Sequence, residues 1–282
     1  MIAYHRPESL TAALAIRANQ HVAVLAGGTD IYPARTARLA WGDPTQAAIL
    51  DISAIPGLGA IEHHADGFRL GCLVTWAQVM RDNSLPPLFD GLKAAARDVG
   101  GRQIQNRGTL IGNLCTASPA GDGIPNLLAL DAQIELTGPK GQRSLPLSAF
   151  LTGYRQTALR ADEIATALFI PKLPQARGGF RKLGARRYLV ISIAMAAGVI
   201  AIDADGRIMT ARLALGACSA VAQRLPLLEA ALQGASLEAA PDIPEAAHLA
   251  ALTPLDDMRA SAGYRRDAAL TLLRDLLAGF NA

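Results

Sequence analysis

Residues 107–122 read RGTLIGNLCTASPAGD and combine glycine, asparagine, threonine and serine with few charges. Residues 100–122 fit neither the helical nor the strand period and are too weakly charged for a flexible linker, so they predict ordered irregular backbone. The hydroxyl and amide side chains suit phosphate oxygens or ring heteroatoms, and Asp122 suits ribose hydroxyls or the cap of the next helix. Taken alone, the stretch is better explained as a tight loop in which Asp122 caps the next helix.

A second polar loop lies earlier in the chain. The apolar residues 21–25, which predict a buried strand, run directly into Ala26-Gly27-Gly28-Thr29-Asp30-Ile31. Consecutive glycines let several backbone N–H groups converge, because no Cβ blocks positive φ or close approach, and converging N–H groups bind anions. Thr29 adds a hydroxyl donor, and Asp30 is placed to orient a ribose or a loop amide. By itself this motif also fits a glycine turn before a helix, but the two loops together indicate a clamped dinucleotide.

The rest of the chain predicts an α+β protein, because strands and helices occur in clusters rather than in a strict βαβ repeat. Residues 171–179 hold two prolines and two glycines and are the expected domain boundary. Helices are expected after Ser9 and over 75–80, 86–99, 123–130, 226–233 and 260–277, and strands over 21–25, 48–52, 59–64, 68–73, 132–136, 163–170, 180–183, 192–202 and 208–216.

Composition excludes several classes of protein. With 51% apolar residues the chain is too hydrophobic for a disordered tail, and a net charge of +3 gives no basic footprint for nucleic acid. Three cysteines, Cys72, Cys115 and Cys218, lie far apart without a CxxC pair, so cysteines of this chain alone cannot ligate an iron–sulfur cluster. No apolar run reaches bilayer length and no signal-peptide pattern is present, so we expect no membrane span and a cytoplasmic protein.

Common nucleotide and hydrolase fingerprints are absent from the sequence. Gly57-Leu58-Gly59-Ala60-Ile61-Glu62 begins like a Rossmann loop, but Glu62 stands where the third glycine belongs. There is no GxxxxGK[ST] segment, no HExxH spacing among the five histidines and no GxSxG around Ser118. The sequence therefore gives no support to a phosphate-loop NTPase, a zinc peptidase or a serine hydrolase.

The two loops, in this order, resemble the FAD-binding medium subunit of molybdenum hydroxylases, the group that includes xanthine dehydrogenase, carbon monoxide dehydrogenase and N-heteroaromatic dehydrogenases. The first flavin motif of that family, AGG[TS], is similar to residues 26–30, and its T[IL]GGN and T-A-S-P-x-x-D motifs are similar to 109–113 and 116–122. Residues 99–109 resemble the lead-in to the second motif, and 259–265 resemble the R-x-S-A-x-Y-R signature of the C-terminal domain. The resemblance covers essentially the whole chain.

The resemblance implies a set of flavin contacts. One position departs from the family, since Ile111 stands where the first glycine of GGN is usual, which either points a side chain away from the flavin or narrows its pocket. Lys182 is similar to a lysine near the isoalloxazine ring, where a cation would favour the anionic reduced flavin. The implied cofactor-binding residues are Leu25, Ala26, Gly27, Gly28, Thr29, Asp30, Ile31, Thr109, Gly112, Asn113, Thr116, Ala117, Asp122, Ile164 and Lys182.

The resemblance also implies the fold. We expect an α+β protein with a two-part FAD-binding domain of the p-cresol methylhydroxylase and CO dehydrogenase flavoprotein type over residues 1–174. Its subdomains are expected at about 1–57 and 58–174. A smaller α+β domain over 175–282 is expected to hold a three-stranded antiparallel sheet with helices.

By resemblance, the function is electron transfer through noncovalently bound FAD. A molybdenum cofactor is expected on a large partner subunit and two [2Fe-2S] clusters on a small one, in a heterotrimer or its dimer, with the electron acceptor left open. An assembly or binding protein that kept the fold without flavin is the alternative, motivated by Ile111. A self-contained FAD oxidase is a third interpretation, for which no acid–base constellation is visible in the sequence.

Overall fold

The computed structural model describes residues 3–43 and 47–281. The expected outer limits of the two domains, residues 1 and 282, lie outside this part of the chain. The fold is α+β, as expected, with three main sheets and a short two-stranded ladder. The strands are β1 (Tyr4–His5), β2 (Val22–Leu25), β3 (Ala48–Asp51), β4 (Ile61–His63), β5 (Gly67–Gly71), β6 (Gln133–Gly138), β7 (Gly141–Pro146), β8 (Leu151–Gly153), β9 (Gln156–Thr157), β10 (Ile164–Pro171), β11 (Ala176–Leu183), β12 (Ala194–Ile202), β13 (Ile208–Gly216) and β14 (Gln223–Arg224).

Helices cover these sheets, and none of those in residues 3–43 and 47–281 is long and apolar enough to cross a membrane. Single 3₁₀ turns occur at Pro87–Phe89, Ala240–Asp242 and Ala246–Leu249. The helices are α1 (Leu10–Asn19), α2 (Ile31–Ala40), α3 (Trp76–Arg81), α4 (Asp90–Asp98), α5 (Arg102–Gln105), α6 (Leu110–Thr116), α7 (Gly123–Ala129), α8 (Leu147–Phe150), α9 (Pro226–Leu232) and α10 (Ala262–Ala278).

The first sheet is small and parallel, in the order β1-β3-β2. Its helix α1 begins where Ser9 accepts a hydrogen bond from the Ala12 amide at 3.2 Å, which is the capping that the sequence predicts. The predicted strands at 21–25 and 48–52 are confirmed as β2 and β3. Because both are parallel, their carboxyl ends lie at one edge, where the first glycine loop follows β2.

The second sheet is antiparallel, in the order β4-β5-β10-β6-β7. Its central strand β10 has a fully buried core, with Ala167, Leu168 and Ile170 unexposed. Thr75 caps α3, as the sequence predicts, because its hydroxyl accepts a hydrogen bond from the Gln78 amide. The Thr75 amide in turn donates to Oε1 of Gln78, which completes a capping box. This sheet and α3 form the wall against which the second glycine-bearing segment packs.

The C-terminal sheet runs β11-β12-β13-β14, all antiparallel, and α9 and α10 cover it. The three long strands are those predicted, and the sheet gains a fourth strand of two residues, β14. Glycines allow close packing where the two parts of the chain meet: a Cβ at Gly91 of α4 would lie 2.7 Å from the Gly179 carbonyl oxygen of β11. Helix α4 therefore lies flat on the C-terminal sheet and ties the two parts together.

Three expectations from sequence need correction. Residues 100–122 are not irregular throughout, because α5 and α6 lie within them; α6 forms since Thr109 caps it, although glycine and asparagine weaken its helical period. Strand β7 was not expected, because its sequence GQRSLP is polar and lies at a sheet edge. Strand β11 begins at Ala176, inside the expected boundary at 171–179, because its glycines pack against α4.

Candidate functional site

The first glycine loop joins β2 to α2, and two of its positions require glycine for different reasons. Gly28 adopts φ +76, a left-handed conformation that favours glycine. Gly27 lies directly against the second motif, since a Cβ there would overlap the carbonyl oxygen of Arg107. The two motifs, far apart in sequence, are therefore in contact.

The amides of this loop are available to a ligand. Within the described residues, the backbone N–H groups of Gly27, Gly28, Thr29 and Asp30 donate no hydrogen bond to protein. The loop also leads into the ten-residue helix α2, whose amino end carries partial positive charge. Unspent N–H groups beside a helix N-terminus form a site suited to phosphate.

The second motif is fixed by its own cap. Thr109 caps α6, because its hydroxyl accepts from the Gly112 amide at 3.0 Å. The Leu110 amide donates to the Val74 carbonyl at 3.1 Å, which binds the motif to the chain just before α3. Thr116 closes the helix by donating to the Gly112 carbonyl at 3.0 Å. The motif thus presents one face of a short helix to the first loop.

A cavity of about 490 Å³ lies between the two motifs. Among the residues that the structure describes, no lysine, arginine or histidine lines it, so an anion there would be held by backbone amides and helix ends rather than by side-chain charge. Among the residues implied by the resemblance, those lining it are Ala26, Gly27, Gly28, Thr29, Asp30, Ile31, Thr109, Gly112, Asn113 and Thr116.

One polar atom beside this cavity has no partner. The Oδ1 atom of Asn113 is buried and accepts no hydrogen bond from the residues that the structure describes. A buried acceptor without a partner is unfavourable, and such an atom at a cavity indicates a missing ligand. Together with the unspent loop amides, it shows that the residues present fit a polar, phosphate-bearing guest such as FAD.

A second cavity of about 290 Å³ adjoins the first and shares Ala23, Val24, Ala26, Gly112 and Cys115 with it. Its walls are mostly apolar, which suits a flat ring. Ile111 and the implied residue Ile164 line this cavity but not the larger one.

Ile111 therefore does not block the space between the two motifs. Its side chain is 4% exposed and belongs to the main core. Of the two cavities it lines only the smaller one, to whose apolar wall the strand residue Ile164 also contributes. Whether this branched side chain narrows the space for a ring in the smaller cavity stays a question for flavin-binding measurements.

Four implied residues line neither of these two cavities: Leu25, Ala117, Asp122 and Lys182. Leu25 is buried at the end of β2, and Ala117 ends α6 with φ 45. Asp122 precedes α7 but makes no side-chain cap, so that part of the expectation is wrong. Its carboxylate instead pairs with Lys182.

Asp122 forms a buried ion pair with Lys182. The Nζ atom of Lys182 donates to Asp122 Oδ2 at 2.6 Å, and Ser192 Oγ donates to Oδ1 at 2.6 Å. Both charged side chains are less than a tenth exposed. Burial raises the pKa of the Asp122 carboxyl, and Lys182 and Ser192 oppose that rise. The positive charge of Lys182, which the resemblance places near the flavin ring, is therefore paired with a carboxylate.

Sequence reasoning missed several residues that line the cavities. Arg17 lines the smaller one, where its Nη1 donates to the Val22 carbonyl at 3.0 Å and its Nε donates to the Glu163 carbonyl. Burial lowers the pKa of the Arg17 guanidinium. No local signal marks Arg17, because it lies on an ordinary helix face. Trp76, one of two tryptophans in the chain, lines the larger cavity and is a residue that rarity could have flagged.

The cysteines near the cavities are not reactive. Burial raises the pKa of the Cys72 thiol and of the Cys115 thiol to about 12, so both stay protonated near neutral pH. Over the described ranges, no group of three histidine, cysteine, aspartate or glutamate side chains is placed to hold a metal ion.

Two family models together match nearly the whole chain. Residues 1–173 match the family described as FAD binding domain in molybdopterin dehydrogenase. Residues 180–279 match the CO dehydrogenase flavoprotein C-terminal domain.

Relatives match over nearly the whole chain. The nicotine 6-hydroxylase medium subunit of Paenarthrobacter nicotinovorans is 33% identical over 89% of this chain and 87% of its own length. The xanthine dehydrogenase FAD-binding subunit of Escherichia coli O157:H7 is 30% identical over 97% of this chain and 94% of its own. Among solved structures, reconstituted CO dehydrogenase from Oligotropha carboxidovorans superposes with a TM-score of 0.91 at 26% identity, covering 99% of this chain and 96% of that chain. The chain belongs to the family of FAD-binding medium subunits of molybdenum hydroxylases.

Proposed function

We propose that this chain receives electrons from iron–sulfur clusters of a small partner subunit and passes them, through noncovalently bound FAD, to an acceptor. A large partner subunit would carry the molybdenum cofactor at which substrate is oxidised. FAD, when bound, supplies redox chemistry that the side chains of this protein lack. The observation that carries the proposal is a 490 Å³ cavity between two contacting motifs, the first of which has unspent backbone amides.

We assign the diphosphate of FAD to the cavity between the motifs. The amides of Gly27, Gly28, Thr29 and Asp30 would hold its oxygens, and the amino end of α2 would offset its charge. The unpartnered Oδ1 of Asn113 would accept a hydrogen bond from the cofactor. A ring of the cofactor would enter the apolar cavity beside Ile164.

We assign Asp122 and Lys182 to the edge of the flavin. The Lys182 ammonium and the Asp122 carboxylate are paired at 2.6 Å and carry little net charge together. The pair would therefore act on the flavin through hydrogen bonds of fixed direction rather than through a net charge. Thr116, whose hydroxyl already bonds the Gly112 carbonyl, would contribute a lone pair, and Leu25 and Ala117 would hold the backbone in place. The proposed domain limits remain residues 1–174, with subdomains at about 1–57 and 58–174, and residues 175–282.

Two features support a complex. The relatives are named as medium subunits or FAD-binding subunits, which implies partner chains. No cluster-ligating group of cysteines occurs in the described residues, so clusters would need a partner. We propose a heterotrimer or its dimer, located in the cytoplasm; the three free thiols fit a reducing compartment. Cell fractionation with metal analysis of each fraction tests the location.

The test of the function is flavin content. After gel filtration, the protein should carry about one flavin per chain, with absorption near ~450 nm that acid extraction releases into solution. Purification from the native host should yield partner chains containing molybdenum and iron. A protein that shows no flavin absorption even after FAD is added would contradict the proposal and favour the flavin-free assembly protein. Flavin that stays with denatured protein would contradict noncovalent binding.

A further inference from the structure

A third cavity, of about 550 Å³, lies where the two parts of the chain meet. Its walls come from the β4–β5 hairpin, the 3₁₀ turn before α4, the connection between β10 and β11, and the first residues of β11. We call this cavity the junction pocket. Domain interfaces are a preferred place for small-molecule sites, and the volume is in the range that such sites occupy.

The junction pocket is far from the two cavities assigned to FAD. Strand β10 begins at Ile164, which lines the smaller of those cavities, and ends at Pro171, next to Lys172 of the junction pocket. The seven steps from Ile164 to Pro171 correspond to about 23 Å of strand. Among the residues that the structure describes, none lines both the junction pocket and a flavin cavity. A ligand there would therefore bind separately from the flavin.

The walls of the pocket are apolar and rigid. Pro86, Pro87 and Pro174 line it, and proline fixes the φ angle of its own backbone. Beside the pocket, β11 packs closely on the 3₁₀ turn, since a Cβ at Gly178 would lie 2.5 Å from the Leu88 carbonyl oxygen. Walls that are already fixed lower the ordering cost that a ligand must offset when it binds.

Two rings form one side of the pocket. His63 and Phe68 meet edge to face with their centroids 5.1 Å apart, and Phe68 packs edge to face on Phe89 at 5.0 Å. Nε2 of His63 shares a hydrogen bond of 3.1 Å with the Ser84 hydroxyl, which holds the histidine ring in place. Ser84 in turn donates to Asp82, whose carboxylate does not line the pocket. This side therefore offers fixed ring surfaces to a flat apolar group.

The pocket also carries positive charge. Lys172 and Arg177 line it, and its described lining includes no aspartate or glutamate. Lys172 is held in place, because its Nζ donates to the Ala65 carbonyl at 3.1 Å and lies 5.9 Å from the centroid of the Phe68 ring. Arg177 makes no side-chain hydrogen bond or ion pair within the described residues. Its guanidinium is therefore available to a carboxylate, whose planar oxygens it matches.

We propose that the junction pocket binds a small molecule that joins a flat apolar body to a single carboxylate. The carboxylate contacts the Arg177 guanidinium and the Lys172 ammonium. The apolar body lies between the three prolines and the rings of His63 and Phe68. The proposal does not depend on FAD, because the pocket shares no described lining residue with the flavin cavities.

The first test compares a charged and an uncharged probe on flavin-loaded protein, in which the flavin cavities are filled. One arm titrates 1-naphthoate, and the other titrates 1-naphthamide, which has the same rings without the charge. Isothermal titration calorimetry measures both affinities. The carboxylate should bind at least about tenfold more tightly than the amide, because only the carboxylate makes charge-assisted hydrogen bonds with both Arg177 and Lys172.

The second test removes the two cations. Lys172→Gln/Arg177→Gln should weaken 1-naphthoate binding by at least about tenfold and change 1-naphthamide binding by less than about twofold. Lys140→Gln/Arg97→Gln is the matched control, because it removes one exposed lysine and one exposed arginine outside the pocket. This control should change 1-naphthoate affinity by less than about twofold.

Hydrogen–deuterium exchange locates the ligand without any substitution. Residues 84–88 and 172–177 should exchange more slowly when 1-naphthoate is bound. Binding with unchanged exchange in both segments would place the ligand elsewhere and overturn the proposal.

The titrations have outcomes that contradict the proposal as well. Equal affinity for the carboxylate and the amide, absence of 1-naphthoate binding, or equal 1-naphthoate affinity of the unchanged protein and Lys172→Gln/Arg177→Gln would each overturn the junction pocket. A protein that takes up no flavin would contradict the proposed function alone. The same titrations and exchange measurements on flavin-free protein would then still test the junction pocket.

Discussion

The cavity between the glycine motifs and the Asp122–Lys182 pair are both implied flavin contacts, but they are built in opposite ways. In the cavity, backbone amides from Gly27 to Asp30 are unspent, and Asn113 Oδ1 has no partner within the described chain. At the pair, two charged groups and Ser192 already satisfy one another in the absence of a ligand. The polar groups of the first region need a ligand to complete their hydrogen bonds, and those of the second region do not.

This difference separates binding from stability. A region with unspent donors gains most from a ligand, so changes there should act on flavin content. A region whose buried charges are already paired should respond to mutation mainly through folding stability. The predictions below test that division, from the largest expected effect to the smallest.

The largest effect is expected at the ion pair. Lys182→Met leaves the Asp122 carboxylate buried without its cation, which should lower the free energy of unfolding by about 3 to 5 kcal/mol. Thermal and urea denaturation of the flavin-free protein would measure it. Asp122→Leu/Lys182→Met removes both charges and should recover at least half of the loss, since an apolar pair of similar volume carries no such penalty. If Lys182→Met and the double variant were as stable as each other, the loss would not come from an unpaired buried charge, which would contradict the account of the ion pair.

Gly27→Ala tests the contact between the motifs. Its Cβ would overlap the backbone carbonyl oxygen of Arg107, so the motifs must separate at a cost of about 1 to 3 kcal/mol, and flavin content should fall about tenfold. The ratio of flavin to protein absorbance after gel filtration reports this. Gly263→Ala is the matched control, because a Cβ there meets no atom within 4 Å. Full flavin content in Gly27→Ala protein would show that the motif contact is dispensable.

Asn113→Ala sharpens the role of the unpartnered oxygen. Because Oδ1 has no described protein partner, flavin-free stability should change little, whereas the variant should bind FAD more weakly by about 1 kcal/mol. Fluorescence titration with FAD and thermal denaturation of the flavin-free protein give the two quantities. A large loss of flavin-free stability with unchanged FAD affinity would assign Asn113 to the fold instead.

The smallest expected effect is on the stability of the protein at acid pH, and it involves Glu163, which lines the smaller cavity. Arg143 hydrogen-bonds Glu163 at 2.6 Å and holds the pKa of that carboxyl below its usual value. A lowered pKa in the folded state contributes stability that is present above the ordinary glutamate pKa and is lost as pH falls through the folded value. Denaturation midpoints from neutral to acid pH should therefore fall less steeply in Glu163→Gln protein. Identical slopes would contradict this role.

Much of the fold follows from local signals in the sequence. Ser9 and Thr75 each predict a helix start that the structure contains, because a capping side chain acts within three residues of itself. The edge strand β7 is missed, since its polar sequence is decided by pairing with β6 rather than by its own pattern.

The candidate site likewise has features that local sequence predicts and features that it does not. The glycine motifs are visible in sequence because their backbone needs are local, as the positive φ of Gly28 illustrates. The pairing of Asp122 with Lys182 and the burial of Arg17 depend on elements far apart in the chain. No local pattern reports such contacts, so the neutralised charge of Lys182 became visible only in three dimensions.

The central claim is that the cofactor binds between two separate motifs, held by the unspent backbone amides of the first loop and by Asn113 of the second. Hydrogen–deuterium exchange of residues 25–31 and 109–116, measured with and without FAD, tests it directly. The account predicts that both segments exchange more slowly when FAD is bound, with the strongest protection at Gly27 to Asp30. Bound flavin with unchanged exchange in both segments would contradict the account.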